Sequence, residues 1–426
     1  MTHTTQNGVQ MHSIKRTVAL AATLTLSFGL AACGGGDDGG SGSEAESGSA
    51  LTIWADEKRA GPIGELAQSW GEENGVTVTV EQVNFDGMKD QFVQQAPQGK
   101  GPDILLGAND WAGEFVDSGL VAPINLGSSK DSFVTASVNA FTIAGQTYGV
   151  PIATENILLF RNTKLAPDAP TSLNEMGDTG LQLKKDKKTQ FPVGLQVGDA
   201  GDAYHAYPFF SAAGGYFFGG PDAEGNYDVQ DIGLTSPGGI AWAEAFSDWG
   251  KQGIVKSTFV GDDLTNAWSQ GKLAYWITGP WNKAIVEEAE GDGVPYSAEG
   301  LPTWDGLDTP SIPIVGAQGF YLSQSSQNAT TAQAFLDATL NTEFMDSLFA
   351  ADPRPPAWKD SLAAAEDDPI IKAVAEFGTD GFPNLPYPEM GPMYEEMGLA
   401  EKNILDGADP QTTMEEAQAN VEKRIQ

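Results

Sequence analysis

The sequence predicts an α/β fold built as two interleaved lobes. Three observations carry that reading. Apolar runs with the two-residue alternation of strands take turns with runs at helical spacing from residue 51 onward. No internal repeat and no long linker follows Ala50. A chain of 426 residues that is 40% hydrophobic has more apolar mass than one core usually serves.

The elements follow in order. Leu51, Ile53 and Trp54 lie in a short buried strand over 51–54. A helix is predicted over 62–73, because Ile63, Leu66, Ala67 and Trp70 share one face and Pro62 suits a first turn. Asn74-Gly75 stops it, and Val76, Val78 and Val80 alternate with threonines as the next strand. Residues 102–106 read as a third buried strand and 111–118 as a helix, an order that predicts a largely parallel sheet. Two further strands, near 147–152 and 156–160, bracket Ala153-Thr154-Glu155. Ser236-Pro237 opens a helix that buries Trp242, Ala245, Phe246 and Trp249. Residues 273–277 form a strand that ends at Thr278-Gly279-Pro280-Trp281. Residues 332–349 are helical with one break, and Met414, Ala417, Val421 and Ile425 mark a terminal amphipathic helix.

Charge narrows the function. There are 58 acidic against 23 basic side chains, a net charge of −35, whereas nucleic acid or anionic lipid demands clustered Lys and Arg. Cys33 is the only cysteine, so an intrachain disulfide and a CxxC metal site are both excluded. His3, His12 and His205 are the only histidines.

Lys15 and Arg16 precede an uncharged apolar run over 17–32, which reads as a secretory signal and falls short of the about 20 residues of a spanning helix. Met11 would serve as a start as well as Met1. Leu30-Ala31-Ala32-Cys33 resembles a bacterial lipobox. The resemblance implies removal of a signal peptide over 1–32 and lipidation of Cys33. Residues 33–50 then form a Gly-, Ser- and acid-rich flexible tether. These segments place the folded part on the extracellular face of the cytoplasmic membrane, held by lipid, as on a Gram-positive surface.

Beyond the tether, several segments resemble the maltose/maltodextrin-binding proteins of bacterial ABC importers, within the broader extracellular solute-binding group. They are Ile53-Trp54, Gly101-Pro-Asp-Ile104, Ser118-Gly-Leu120, Pro151-Ile-Ala153 with Glu155, Gly279-Pro-Trp281, Pro383-Asn384 and Glu389-Met390. Each is weak alone; their common order from Leu51 to the C-terminus is not. The resemblance implies a type II periplasmic-binding-protein-like fold, with two lobes, a hinge and the ligand in the cleft between them. It further implies an N-lobe over 51–153 plus 303–352 and a C-lobe over 154–302 plus 353–426, with crossings near Thr154, Pro302 and Asp352.

A sugar ring has apolar C–H faces and a hydroxyl rim, so its pocket needs aromatic platforms and planar polar groups. Trp281 matches the family's principal stacking tryptophan, Tyr394 a second stacking aromatic and Tyr204 another. Asp202 stands for a family glutamate, while His205 beside it reads as an ordinary half-buried histidine. Asp110 and Glu155 match two cleft carboxylates, and Asp110 is also placed to cap the helix that follows. Asp56, Glu57, Lys58 and Arg59 stand where the family carries an acidic–basic pair, without showing which of the four point inward. Gln318 is a further candidate. Gly107 and Trp111 replace a Trp and an Arg of enterobacterial members, which suggests a platform re-aimed onto Trp111.

The expected function is a substrate-binding lipoprotein for maltose or longer α-glucans that delivers them to membrane permease subunits. No cofactor and no metal is expected, and the protein is expected to be a monomer. Two rivals stand beside it. One is the same fold binding another oligosaccharide or a disaccharide such as trehalose. The other is a secreted glycosidase using Asp110 and Glu155, which would need one raised carboxyl pKa and a separation of about 5–10 Å.

Overall fold

The computed structural model describes residues 49–222 and 226–426. The signal peptide, the lipobox with Cys33 and most of the tether lie outside the described residues.

The chain opens with β1 (Ala50–Ala55), α1 (Ala60–Asn74), β2 (Thr77–Gln82), α2 (Phe85–Gln95), β3 (Ile104–Ala108) and α3 (Ala112–Asp117). β1 lies parallel between β2 and β3, and Ile53 pairs with Val80 on one side and Ile104 on the other. α1 starts two residues before Pro62, buries Ile63 and Ala67 and ends at Gly75, whose φ of 68° is the left-handed cap glycine tolerates.

The strands that build the two sheets continue with β4 (Val121–Ala122), β5 (Gly149–Glu155), β6 (Leu158–Asn162), β7 (Gly194–Leu195) and, after helices α4 (Ala203–Ala212) and α5 (Pro237–Gln252), β8 (Tyr275–Thr278). The remainder includes β9 (Tyr296–Glu299), β10 (Ile314–Ser323), β11 (Phe382–Pro383), α6 (Met390–Leu405) and α7 (Pro410–Arg424). α5 is capped by Ser236, whose hydroxyl accepts from Gly239 N at 3.1 Å. It buries Trp242, Phe246 and Trp249, with Ala243 rather than Ala245 fully enclosed. The break expected within 332–349 is real: helices Ala329–Ala338 and Thr342–Ala351 meet at Asn341, which caps the second.

The first sheet runs β11-β10-β3-β1-β2, with β4 and β5 also hydrogen-bonded to β10. The expectation of a largely parallel sheet is therefore corrected: β10 is antiparallel to β3, β4 and β5. β10 arrives from some 200 residues downstream of β3, so no βαβ crossover dictates its direction. The second sheet, β9-β6-β8-β7, is also mixed.

Strand alternation sorts each sheet's side chains onto two faces. Ile53, Ile104 and Leu106 enter one core and Trp54, Leu105 and Ala108 another. In the second sheet Leu159 and Ile277 face one core, while Leu158, Phe160 and Trp276 face the other. This is a two-lobed α/β molecule, each lobe a sheet covered on both sides.

Ala153-Thr154-Glu155, expected between two strands, belongs to the first of them. β5 continues through Glu155, because β10 supplies a partner at each position: Gln318 to Ala153, Ala317 to Thr154 and Gly316 to Glu155. The chain leaves the first sheet only at Asn156-Ile157, before β6.

Candidate functional site

β3 delivers Asn109, Asp110 and Trp111 on a single 3-10 turn. Asn109 is fully buried; its Nδ2 donates to Asn384 O at 2.6 Å and its Oδ1 accepts from Ala317 N at 2.9 Å. Asp110 Oδ1 accepts from Asn384 Nδ2 at 2.9 Å, and Asn384 Oδ1 accepts from Tyr394 Oη at 2.8 Å. Asp110 and Tyr394, 284 positions apart in sequence, are thus joined through one amide. Asp110 makes no cap to α3; Asn384 takes its oxygen instead. Burial pushes its carboxyl up, against the opposing pull of Lys89 and the Asn384 amide.

The second wall is aromatic. Tyr204 on α4 and Trp281 on the turn after β8 have ring centres 6.3 Å apart at 43°, and His205 meets Trp281 edge-on at 5.7 Å. Trp281 is half-buried, and its indole lies over Gly279, where a side-chain carbon would sit 2.1 Å from Cζ3. Gly279 therefore has to be glycine for that ring pose. Tyr204 Oη donates to Glu155 O at 3.3 Å. A side-chain carbon on Gly316 would stand 3.6 Å from Asn384 Nδ2 and 3.7 Å from both Asn109 Oδ1 and Tyr204 Oη. The two walls converge over that glycine.

Beneath them runs a buried polar chain. Arg59 Nε donates to Asp56 Oδ2 at 2.7 Å and Arg59 Nη2 to Gln318 Oε1 at 3.0 Å. Gln318 Nε2 donates to Glu155 Oε1 at 2.7 Å. Glu155 Oε2 accepts from Arg354 at 3.2 Å, and Arg354 also holds Asp352 at 3.1 Å. Burial would raise the Asp56 carboxyl, but the Arg59 and Arg354 cations outweigh it and hold it down at about 2.

Four expected ligand residues, Asp56, Arg59, Glu155 and Gln318, consequently turn most of their polar atoms on one another and on Arg354. They support the cleft floor and are at most 7% exposed. Of the quartet at 56–59, Glu57 and Lys58 are the exposed pair. Glu57 accepts from Phe85 N at 3.2 Å, and Lys58 Nζ donates to Asn282 Oδ1 at 3.4 Å, bridging the two lobes.

Two assignments need correction. Trp111 is 6% exposed and wedged between Phe85 and Phe115, so it is a core residue rather than an open platform. Its indole occupies the space above Gly107, where a side-chain carbon would lie 2.3 Å from Cζ3. Asp202 is the N-cap of α4: it accepts from His205 N at 3.0 Å and from Gln196 Nε2 at 2.8 Å, with His205 Nδ1 2.8 Å away. Burial acts to raise its carboxyl, but His205 more than compensates and keeps it low. Behind it, Glu401 on α6 is fully buried and accepts from Asp202 N at 2.7 Å. Burial drives the Glu401 carboxyl well up.

Sequence reasoning missed Asn384, Asn282, Lys89 and Arg354 as site residues. Asn384 stood in a quoted motif, and Arg354 is a lone charge among prolines at 353, 355 and 356; both were visible signals. Among the described residues no group of three or more His, Cys, Asp or Glu side chains is arranged to hold a metal ion, and no helix is long and apolar enough to cross a membrane.

A two-lobed fold with an aromatic wall facing a carboxylate–amide wall is the geometry of a ligand cleft. Residues 65–377 match the model of the family described as bacterial extracellular solute-binding protein. The chain belongs to that family. This solute-binding protein is 27% identical to the galactooligosaccharide-binding protein of Bacillus subtilis (strain 168), over 97% of this chain and 98% of that one. It is 26% identical to the maltooligosaccharide ABC transporter solute-binding lipoprotein of Streptococcus pneumoniae (strain ATCC BAA-255 / R6), over 87% and 86% of the two chains. It is also 26% identical to the maltodextrin-binding protein MdxE of Bacillus subtilis, over 77% of each.

Proposed function

We propose that this solute-binding protein captures a neutral oligosaccharide of the maltodextrin or galactooligosaccharide kind and presents it to the permease of an ABC importer. The observation that carries the reading is the aromatic pair Tyr204–Trp281, whose Tyr204 meets the Asp110–Asn384–Tyr394 array at Gly316. Rings stack on C–H faces, while carboxylate and amide groups accept from and donate to the hydroxyl rim. An uncharged ligand also suits a protein of net charge −35.

Binding is favoured over hydrolysis by the state of Glu155. Both of its oxygens are engaged, by Gln318 and Arg354, which leaves none for a nucleophile or a water-activating base. The lobe boundaries implied by the resemblance belong to the proposal, with the last crossing moved beyond Trp358. Support comes from Thr154 N donating to Pro355 O and Ala357 N to Ile152 O, which tie 355–357 to β5. The anchor at Cys33, the outer-surface location and the monomeric state belong to the same proposal.

Tryptophan fluorescence titration with maltotriose, a galactotriose, xylotriose and trehalose tests it. Saturation at micromolar or lower concentration by maltotriose or the galactotriose is expected. A response to xylotriose or trehalose alone would move the assignment to another sugar; a response to none would contradict it.

A further inference from the structure

The first lobe's wall holds an aromatic ring that the family resemblance did not mark. With Gly107 bare and Trp111 folded down onto it, the part-exposed ring on that side is Phe85, the first residue of α2. Phe85 lies 5.2 Å from Trp111, tilted at 35°, and remains half-exposed while Trp111 is 6% exposed. Its backbone is fixed by the Phe85 N–H donated to Glu57, which adjoins the bridging Lys58.

The surroundings show which way this turn of helix faces. Residues four apart share one helix face. Lys89 stands on that face with Phe85, and its Nζ is 3.4 Å from where a side-chain carbon on Gly391 would lie, on the helix that carries Tyr394. Asp86 is exposed; after burial, the charges that raise its carboxyl are Asp202 and Glu57, with His205 pulling the other way. Asp202 and His205 belong to the wall that carries Tyr204 and Trp281. Met88 and Phe92, three and seven residues on, flank Phe85 on its other side and are buried, so Phe85 stands at the edge between the core stripe of α2 and the side that carries Lys89 and Asp86.

We propose that Phe85, seated on Trp111, is the first lobe's stacking platform, so that a sugar ring is held between aromatic faces from both lobes. The proposal rests on the oligosaccharide reading above and adds a contact to it. Trp111 becomes a positioning residue, holding the Phe85 ring at its angle. Such a clamp selects ligands with an uninterrupted C–H face on each side of a pyranose ring.

The test uses the chain from Ser49 to Gln426 and titrates maltotriose and a galactotriose into wild type, Phe85→Leu, Phe85→Met, Phe85→Tyr and Trp281→Ala. Leu and Met keep apolar packing on Trp111 but remove the ring face; Tyr restores it. The expected result is an affinity loss of about three- to tenfold in the Leu and Met variants, wild-type affinity in the Tyr variant, and unliganded melting temperatures within about 3 °C of wild type. Leu and Met variants that bind within twofold of wild type, while Trp281→Ala loses binding, would overturn the platform and leave the function standing. A wild type that binds neither sugar would overturn both.

Discussion

Glu401 is the residue whose chemistry is most constrained by its position. It is fully enclosed, it accepts a single backbone N–H from Asp202, and its Oε1 has no protein partner. Its pKa is raised in the folded state, so the folded protein holds a proton that the unfolded chain releases. Stability from this group is present below the ordinary glutamate pKa and declines as pH rises toward the folded value. Glu401→Gln removes that dependence. Its unfolding free energy in urea should overtake that of wild type as pH rises from 5 to 8, by up to about 1.4 kcal/mol per pH unit. A constant difference across that range would show that Glu401 is ionised in the fold. The same burial logic separates residues that look alike in sequence. Asp56, Asp110, Glu155 and Asp202 all read as cleft carboxylates, and only Asp110 is arranged that way. Asp56 and Glu155 face arginines, and Asp202 caps a helix. Glu155 is decided by Gln318 and Arg354, 163 and 199 positions away, which no local pattern records, whereas Asp56 and Asp202 are taken by partners three residues on, Arg59 and His205.

At the scale of elements, α3 and the segment entering α6 meet at Gly113. A side-chain carbon there would lie 2.5 Å from the Pro388 nitrogen, a backbone atom that cannot swing aside. Gly113→Val should displace residues 387–388 and the start of α6, which carries Tyr394, and weaken sugar binding by roughly tenfold or more, at the scale of losing a well-packed contact. Unchanged affinity in calorimetry would show that this approach is not needed. Elements with their own periodicity were legible: β1, α1, β2, β3, α5 and the paired helices around Asn341 all stand within a few residues of expectation. What escaped was pairing. β10 inserts antiparallel beside β3 and β5, extends β5 through Glu155 and makes the sheet mixed, and its 314–323 segment carries no sign of those partners. Trp111 escaped for a related reason: only the fold shows that the space over Gly107 is vacant for it to fill.

For the whole molecule, contacts already cross between the lobes: Lys58 with Asn282, Tyr204 with the end of β5, and Lys89 beside Gly391. These are contacts that a hinge opening would break. Solute-binding proteins close by hinge motion, for which periplasmic binding proteins are a type case, and a ligand shifts that equilibrium only by its differential affinity for the closed form. Small-angle scattering of the sugar-free protein should therefore give a radius of gyration larger than that of the closed conformation, falling to it on saturation with ligand. No change on saturation would mean that the lobes are fixed.

The most direct test of the central claim is calorimetric titration of maltotriose and a galactotriose into the chain from residue 49 to 426 and its Trp281→Ala variant. The account predicts saturable one-site binding of at least one sugar at micromolar or tighter Kd, weakened roughly tenfold or more in the variant with its fold intact. Binding that is indifferent to Trp281, or no heat with either sugar, would contradict it.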